Sequence, residues 1–147
     1  MNGKLILGLS LFGLAMGFAT VFVIPWKEEP FFWLPIFIIC AFVIARQAPG
    51  RVFLHGFLLG IVNSVWVTGA HLLFFSRYLA GHPMEAAMIT AVHGTRLLAS
   101  AAMVPVGLSS GLISGAVIGL LAYVVAKAIK SGERSASRKP RGARAGS

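Results

Sequence analysis

Residues 107–119 read GLSSGLISGAVIG, which places a glycine at every fourth position of one apolar segment. On a helix, positions four apart lie on the same face, so these glycines form a smooth groove along one side. Helices in lipid gain little from the hydrophobic effect when they associate, and they pack through small residues that let their backbones approach. The pattern therefore predicts a close helix–helix contact formed by Gly107, Gly111, Gly115 and Gly119.

The same spacing recurs in two other apolar segments. The first segment contains Gly13 and Gly17, and the third contains, at intervals of four, Gly56, Gly60, Ser64 and Thr68. Small-residue faces on both the third and the fourth segment exceed what one internal contact needs. We therefore expect one face to pack within the chain and the other to contact a second copy or a larger membrane complex.

The composition excludes an ordinary soluble domain. The chain has 147 residues, of which 57% are hydrophobic and only 12% charged, and its mean hydropathy is +0.84. Soluble domains carry roughly 25% charged residues, and about 20 apolar residues cross the hydrocarbon layer of a bilayer. The sequence thus predicts an all-α membrane protein with four transmembrane helices, at about 5–24, 31–45, 52–75 and 103–126.

The distribution of cations predicts the orientation of these helices. If both termini are cytoplasmic, the cations on the opposite side are only Lys27, Arg77 and Arg96, and all the others are cytoplasmic. Cytoplasmic loops of membrane proteins carry an excess of lysine and arginine. We therefore expect a multi-pass protein of the bacterial inner (plasma) membrane with both termini in the cytoplasm.

Two other topologies fit the pattern less well. A signal peptide cleaved after Gly17 is disfavoured, because the apolar run that begins at Leu5 continues past the roughly 7–15 residues of a signal sequence. A fifth span at 84–102 would bury Glu85, His93 and Arg96. An arginine alone costs about 2.5–3.5 kcal/mol at the bilayer centre, so four spans are favoured.

The segment between the third and fourth spans has a helical pattern of its own. Pro83 followed by an acidic residue is typical of a helix start. We expect an amphipathic helix at about 84–101 that lies in the membrane interface. Contact with an anionic lipid headgroup is a hypothesis for this helix, and its candidate residues are Glu85, His93 and Arg96.

The carboxyl-terminal segment is basic and poor in apolar residues. Such a composition predicts disorder, so the chain divides into a transmembrane domain at 1–126 and a disordered cytoplasmic tail at 127–147. The cations of the tail predict attraction to anionic lipid. We expect no nucleic acid as a partner, because no aromatic residues alternate with the cations to stack on bases.

Polar residues of the third segment are candidates for a solute or ion pathway, because polar groups within a span are costly. At about 100° per residue, Ser64, Thr68 and His71 share one face, and Asn63 lies about a quarter turn away. The competing interpretation is that Ser64 and Thr68 bond to backbone carbonyls and that Asn63 ties two helices together.

The sequence offers little for catalysis or for a bound cofactor. It contains no aspartate to orient a histidine, and its single cysteine, Cys40, lies in an apolar segment. His55 and His71 would lie about 24 Å apart along one helix, too far to share a haem iron. The spacing of His71, His82, Glu85 and His93 matches no metal-ligand motif. We expect no enzymatic activity, no cofactor and no metal site.

Residues 52–66, VFLHGFLLGIVNSVW, and residues 104–107, VPVG, resemble bacterial four-helix membrane proteins that are classed as a domain of unknown function. The resemblance covers most of the chain and implies a four-helix membrane fold. It implies no activity and no site residues.

These patterns favour a small integral membrane accessory or assembly subunit that self-associates or docks into a larger membrane complex. Its helix-packing residues are Gly56, Gly60, Ser64, Gly107, Gly111, Gly115 and Gly119. One alternative is a minimal channel or carrier for a small solute or ion, and its pathway residues are Asn63, Ser64, Thr68 and His71. A second alternative is a lipid-headgroup-binding protein.

Overall fold

The computed structural model describes residues 1–48, 50–91 and 95–137, and within these ranges it contains helices and no strand. The helices are α1 (Gly3–Phe22), α2 (Glu29–Gln47), α3 (Val52–Leu73), α4 (Phe75–Gly81), α5 (Pro83–Ala91) and α6 (Arg96–Ser137). Four of them, α1, α2, α3 and α6, are long and apolar enough to cross a membrane.

Local sequence explains where the first three helices begin. The side chain of Asn2 caps α1 by accepting a hydrogen bond from the backbone N–H of Leu5 at 3.2 Å. Pro30 lies in the first turn of α2, where its missing N–H is not needed. Gly50 and Arg51 have φ angles of 83° and 47°, and this left-handed pair turns the chain from α2 into α3.

Helix α3 lies at the centre of the bundle. It packs most extensively against α6 and α1, and α2 packs mainly against α6. The largest buried apolar cluster lies toward the end where α1 and α3 begin, and its members are Ile6, Leu9, Cys40, Ala41, Ile44, Ala48, Leu59, Ile118 and Ala122. We call this end the basic end, because its cations include Lys4, Arg46, Arg51 and Lys127.

Two short helices, α4 and α5, cover the opposite end, which we call the α4–α5 end. The ring of Phe74, directly before α4, lies 5.8 Å from Phe18 and 5.0 Å from Phe22 on α1, measured between centroids. The side chains of Tyr78 and His82 are buried behind this contact. Aromatic packing therefore attaches α4 to the end of α1.

The segment between α3 and α6 differs from the prediction. The predicted span at 52–75 ends at Leu73, and α4 follows as a separate helix. The predicted single helix at 84–101 is divided between α5 and the first turns of α6. The break after Leu73 follows from the packing of Phe74 on α1, which the continuous apolar run through Phe75 does not reveal.

Helix α6 is also longer than predicted at its carboxyl end. The sequence predicts a span that ends at 126 and disorder from 127 onward, but α6 continues to Ser137. Alanine, lysine and glutamate in this stretch sustain a helix once it is nucleated. The structure thus describes 127–137 as part of α6, and residues 138–147 of the predicted tail lie outside the described part of the chain.

The outer surface of the bundle is apolar. Large side chains that are more than half exposed occur on each of the four long helices, for example Leu11, Phe31, Val65 and Ile113. Soluble monomers rarely expose apolar patches larger than a few hundred Å². The surface agrees with helices that face lipid.

Candidate functional site

The glycine faces of α3 and α6 pack against each other. A Cβ atom added to Gly56 would lie 2.6 Å from the Cα of Gly119, and one added to Gly115 would lie 3.2 Å from the Cα of Phe57. A Cβ added to Gly60 would overlap the backbone of Gly115. Only hydrogen fits at these positions, so the two backbones are in direct contact.

The same interface continues toward the α4–α5 end. A Cβ at Gly111 would lie 2.6 Å from the Cβ of Ser64, and one at Gly107 would lie 3.1 Å from the Cβ of Thr68. Each step of four residues along α3 matches a step of four back along α6, so the helices are antiparallel in one register. The structure thus brings all the predicted helix-packing residues into a single interface within the chain.

This pairing uses both faces within the chain, whereas the sequence predicts that one of them contacts an outside partner. The small residues of α3 face α6, and the glycines of α6 face α3. A second side of α3 packs on α1, where Gly13 meets Asn63 and Gly17 meets Ala70. Because α3 is the central helix, it needs close contacts on two sides, and neither glycine face is left for an outside partner.

The predicted pathway residues are divided between these two interfaces. Ser64 and Thr68 face α6, and the Ser64 hydroxyl donates to the carbonyl of Ile61 at 2.8 Å. Asn63 and His71 face α1 instead. The four residues therefore lie on different sides of α3 and do not line one path.

His71 connects α3 to α1 by a buried hydrogen bond. Its Nε2 atom lies 2.9 Å from the Oγ1 atom of Thr20. Because the Thr20 hydroxyl donates to the carbonyl of Gly17 at 3.2 Å, it accepts its second bond from an Nε2–H of His71. This hydrogen bond sets the register of α1 against α3 near the α4–α5 end.

Sequence reasoning missed a stack of three rings at the α4–α5 end. The centroid of the Tyr78 ring lies 3.9 Å from that of His71 and 4.0 Å from that of His82. Nδ1 of His82 donates to the carbonyl of Tyr78 at 2.9 Å, and its Nε2 is buried without a hydrogen-bond partner among the described residues. The stack joins the end of α3 to α4.

Charge and burial keep the central ring of this stack protonated. Burial raises the pKa of the Tyr78 phenol, and the negative charges of Glu85 and Glu29 raise that pKa further. The phenol is therefore neutral at physiological pH. A neutral hydroxyl suits a packing role for Tyr78 and not a role as a general base.

Asn63 presents an amide to α1 near the middle of α3. A Cβ added to Gly13 would lie 2.7 Å from the Cγ of Asn63, so the amide is pressed against the α1 backbone. Neither Oδ1 nor Nδ2 of Asn63 has a hydrogen-bond partner among the described residues. A buried polar group without a partner costs about 1–3 kcal/mol.

We expect the substitution Asn63→Ala to raise the free energy of unfolding by about 1 kcal/mol, because it removes this unpaired amide. Chemical unfolding in detergent micelles measures the change. The control is Ser64→Ala, whose hydroxyl already bonds to the backbone, and it should stay within about 0.5 kcal/mol of the wild type. A clear loss of stability in Asn63→Ala would mean that the amide holds a bound partner.

The predicted headgroup residues lie around the α4–α5 end. Glu85 is half-buried in α5, and Arg96 is exposed at the start of α6, with its guanidinium carbon 5.6 Å from the ring centroid of Phe75. His93 lies outside the described residues. The structure thus describes two of the three residues, and it pairs Arg96 with an aromatic ring.

Within 1–48, 50–91 and 95–137, no group of three or more His, Cys, Asp or Glu residues is arranged to hold a metal ion. The single thiol, that of Cys40, is fully buried in the apolar cluster. No family model matches the chain, and neither a curated protein nor a solved structure matches it. The similarity to bacterial four-helix membrane proteins therefore depends only on the residues quoted for it.

Proposed function

We propose that the chain is a multi-pass integral protein of the bacterial inner membrane with both termini in the cytoplasm. Four helices of sufficient length and an apolar outer surface support the embedding. The collection of Lys4, Arg46, Arg51 and Lys127 at one end supports the orientation. The cations of α6 beyond this point attract anionic lipid on the same side.

Within the membrane, the chain acts as an accessory or assembly subunit that performs no reaction itself. The observation that carries this proposal is an exposed stripe of small and polar groups on α6, formed by Ala101, Pro105 and Ser109. Pro105 has no N–H, so the carbonyl of Ala101 lacks its usual helical donor. The Ser109 hydroxyl donates to the carbonyl of Pro105 at 2.8 Å, so the carbonyl of Ala101 is the group left without its helical donor. Small residues beside such a carbonyl on a lipid-facing surface favour contact with another transmembrane helix.

Helix α2 supports the same proposal. Its fully buried residues are Cys40, Ala41 and Ile44, and the half from 29 to 39 reaches the apolar cluster only through the partly buried Ile36 and Phe37. The first eleven residues of α2 and of α6, 29–39 and 96–106, are thus largely exposed and lie at the same end of the bundle. The divided polar residues of α3 give no comparable support to a channel or carrier.

The partner helix belongs to a second copy of the chain or to another subunit of a membrane complex, and self-association is tested first. We expect the intact assembly, released in gentle detergent, to exceed the 15.6 kDa of one chain. Ser109→Phe should reduce it to a monomer, because the ring blocks the small-residue stripe on α6.

The matched control for this test is Leu11→Phe, which adds a ring to an exposed position of α1 that is 60% accessible. This variant should keep the mass of the wild-type assembly. A wild-type protein that is monomeric when reconstituted alone in lipid would contradict self-association. An assembly that survives Ser109→Phe would contradict the docking stripe.

A further inference from the structure

Two open depressions lie side by side at the basic end, between the start of α1 and the end of α2. One has a volume of about 420 Å³, and its lining residues are Asn2, Lys4, Leu5, Gly8, Leu9 and Gln47. The other has a volume of about 610 Å³, and its lining includes Asn2, Gln47, Gly50, Arg51 and His55. Because they share Asn2 and Gln47, we treat them as one feature, the basic-end groove.

Two partly buried hydrogen bonds of His55 hold one wall of this groove in place. Nε2 of His55 accepts the backbone N–H of Asn2 at 3.0 Å, and Nδ1–H of His55 donates to the carbonyl of Arg51 at 3.0 Å. His55 is only 4% exposed, so it joins the start of α1 to the start of α3. The rim of the groove is formed by three exposed polar side chains, those of Lys4, Gln47 and Arg51.

The groove is lined by the cations Lys4 and Arg51, and by no acidic residue. The glutamate at the basic end, Glu133, follows Lys127 and Lys130 on α6 and does not line the groove. Glu28 and Glu29 lie at the opposite end of α2, and Glu85 lies in α5 at the α4–α5 end. Lys4 and Arg51 each offer N–H donors, and a guanidinium matches the oxygen atoms of a phosphate. The chemistry of the upper groove therefore favours a phosphate-bearing anion.

The floor of the groove is apolar and continues along α1. It is formed by Leu5, Gly8 and Leu9, of which the last belongs to the buried apolar cluster. A Cβ added to Gly8 would meet no atom within 4 Å, so space lies open over this position. A ligand that fills the whole groove therefore needs a phosphate next to the cations and an apolar chain next to Leu5, Gly8 and Leu9.

We propose that the basic-end groove binds an anionic phospholipid, with its phosphate between Lys4 and Arg51 and an acyl chain over Gly8. Both depressions are open to their surroundings, as a site that holds a lipid along the surface of the bundle requires. The site is at the opposite end of the bundle from the headgroup residues that the sequence predicts. It rests on the proposed membrane embedding but not on the proposed assembly role.

Native mass spectrometry of the full chain in micelles that contain phosphatidylglycerol or phosphatidylcholine tests the proposal. We expect retained phosphatidylglycerol on the wild type and about a tenfold lower affinity in the double variant Lys4→Gln and Arg51→Gln, since each removed cation weakens attraction to anionic lipid. The matched control is Lys27→Gln and Arg77→Gln at the α4–α5 end, which should keep the lipid.

A second pair of variants distinguishes a lipid from a free phosphate ion. Gly8→Leu fills the floor of the groove, and Gly69→Leu adds the same side chain at another open position. Lipid retention should fall about tenfold in Gly8→Leu and stay unchanged in Gly69→Leu.

The proposal is contradicted if the wild type retains phosphatidylcholine as well as it retains phosphatidylglycerol, or if the double variant Lys4→Gln and Arg51→Gln retains phosphatidylglycerol unchanged. It is also contradicted if inorganic phosphate displaces the lipid and Gly8→Leu has no effect on retention. A chain that does not enter micelles or bilayers at all contradicts the proposed embedding instead.

Discussion

The substitution Gly60→Ala is expected to destabilise the protein by about 3 kcal/mol, because overpacking a tight contact costs about 1–3 kcal/mol or more. The added methyl group would overlap the backbone of Gly115 and lie 2.8 Å from the carbonyl oxygen of Gly111. These atoms belong to a helix backbone and cannot rotate away as a flexible side chain does. Chemical unfolding in micelles measures the loss of stability.

The matched control for this experiment is Gly69→Ala on the same helix. A Cβ at Gly69 would meet no atom within 4 Å, so only helix propensity acts there, and alanine is favoured by about 1 kcal/mol. The two alanine variants of α3 should therefore change stability in opposite directions. Equal stability of Gly60→Ala and the wild type would contradict the close approach of α3 and α6.

The second large effect is expected for Tyr78→Ala. Tyr78 is 8% exposed and stacks on both His71 and His82, and truncation of a buried aromatic side chain costs about 3 kcal/mol. The loss should be local, because the ring stack joins α4 to the end of α3. Hydrogen exchange of the backbone amides in α4 should then become about a hundredfold faster.

Tyr123→Ala is the control for Tyr78→Ala. Tyr123 is 55% exposed on the outer surface of α6, so its truncation should leave exchange in α4 unchanged. Unchanged exchange of α4 in Tyr78→Ala would mean that the ring stack does not hold this helix. Faster exchange throughout the bundle in Tyr78→Ala would mean that the stack supports the whole fold.

The helical architecture could be predicted from apolar length alone. Uncharged runs such as that from Leu5 to Ile24 have one stable form in lipid, so composition predicts the first three long helices to within two residues at each end, but not the ends of α6. The glycine spacing identified which sides of α3 and α6 are smooth. It could not identify the partner of each side, because that depends on which helix lies at the centre of the bundle.

The stack of His71, Tyr78 and His82 could not be predicted from the sequence for a different reason. Tyr78 lies in α4 and His82 directly follows it, and the interval of four places both rings on one side, but their contact with His71 depends on the turn at Phe74. No glycine or proline marks that turn, since Phe74 lies within a continuous apolar run. The basic composition of 127–137 predicts disorder, but its alanine, lysine and glutamate residues favour continuation of a helix that is already formed.

Disulfide cross-linking of α3 to α6 in membrane vesicles tests the packing most directly. The test uses the double variant Ser64→Cys and Gly111→Cys in a Cys40→Ser background. A Cβ at position 111 would lie 2.6 Å from the Cβ of residue 64, and a disulfide needs about 3.8 Å, so the helices have to separate only slightly for the bond to form. We expect a bond within one chain, and none for Val65→Cys with Gly111→Cys. A cross-linked dimer, or no cross-link for the first pair, would contradict the glycine interface within the chain.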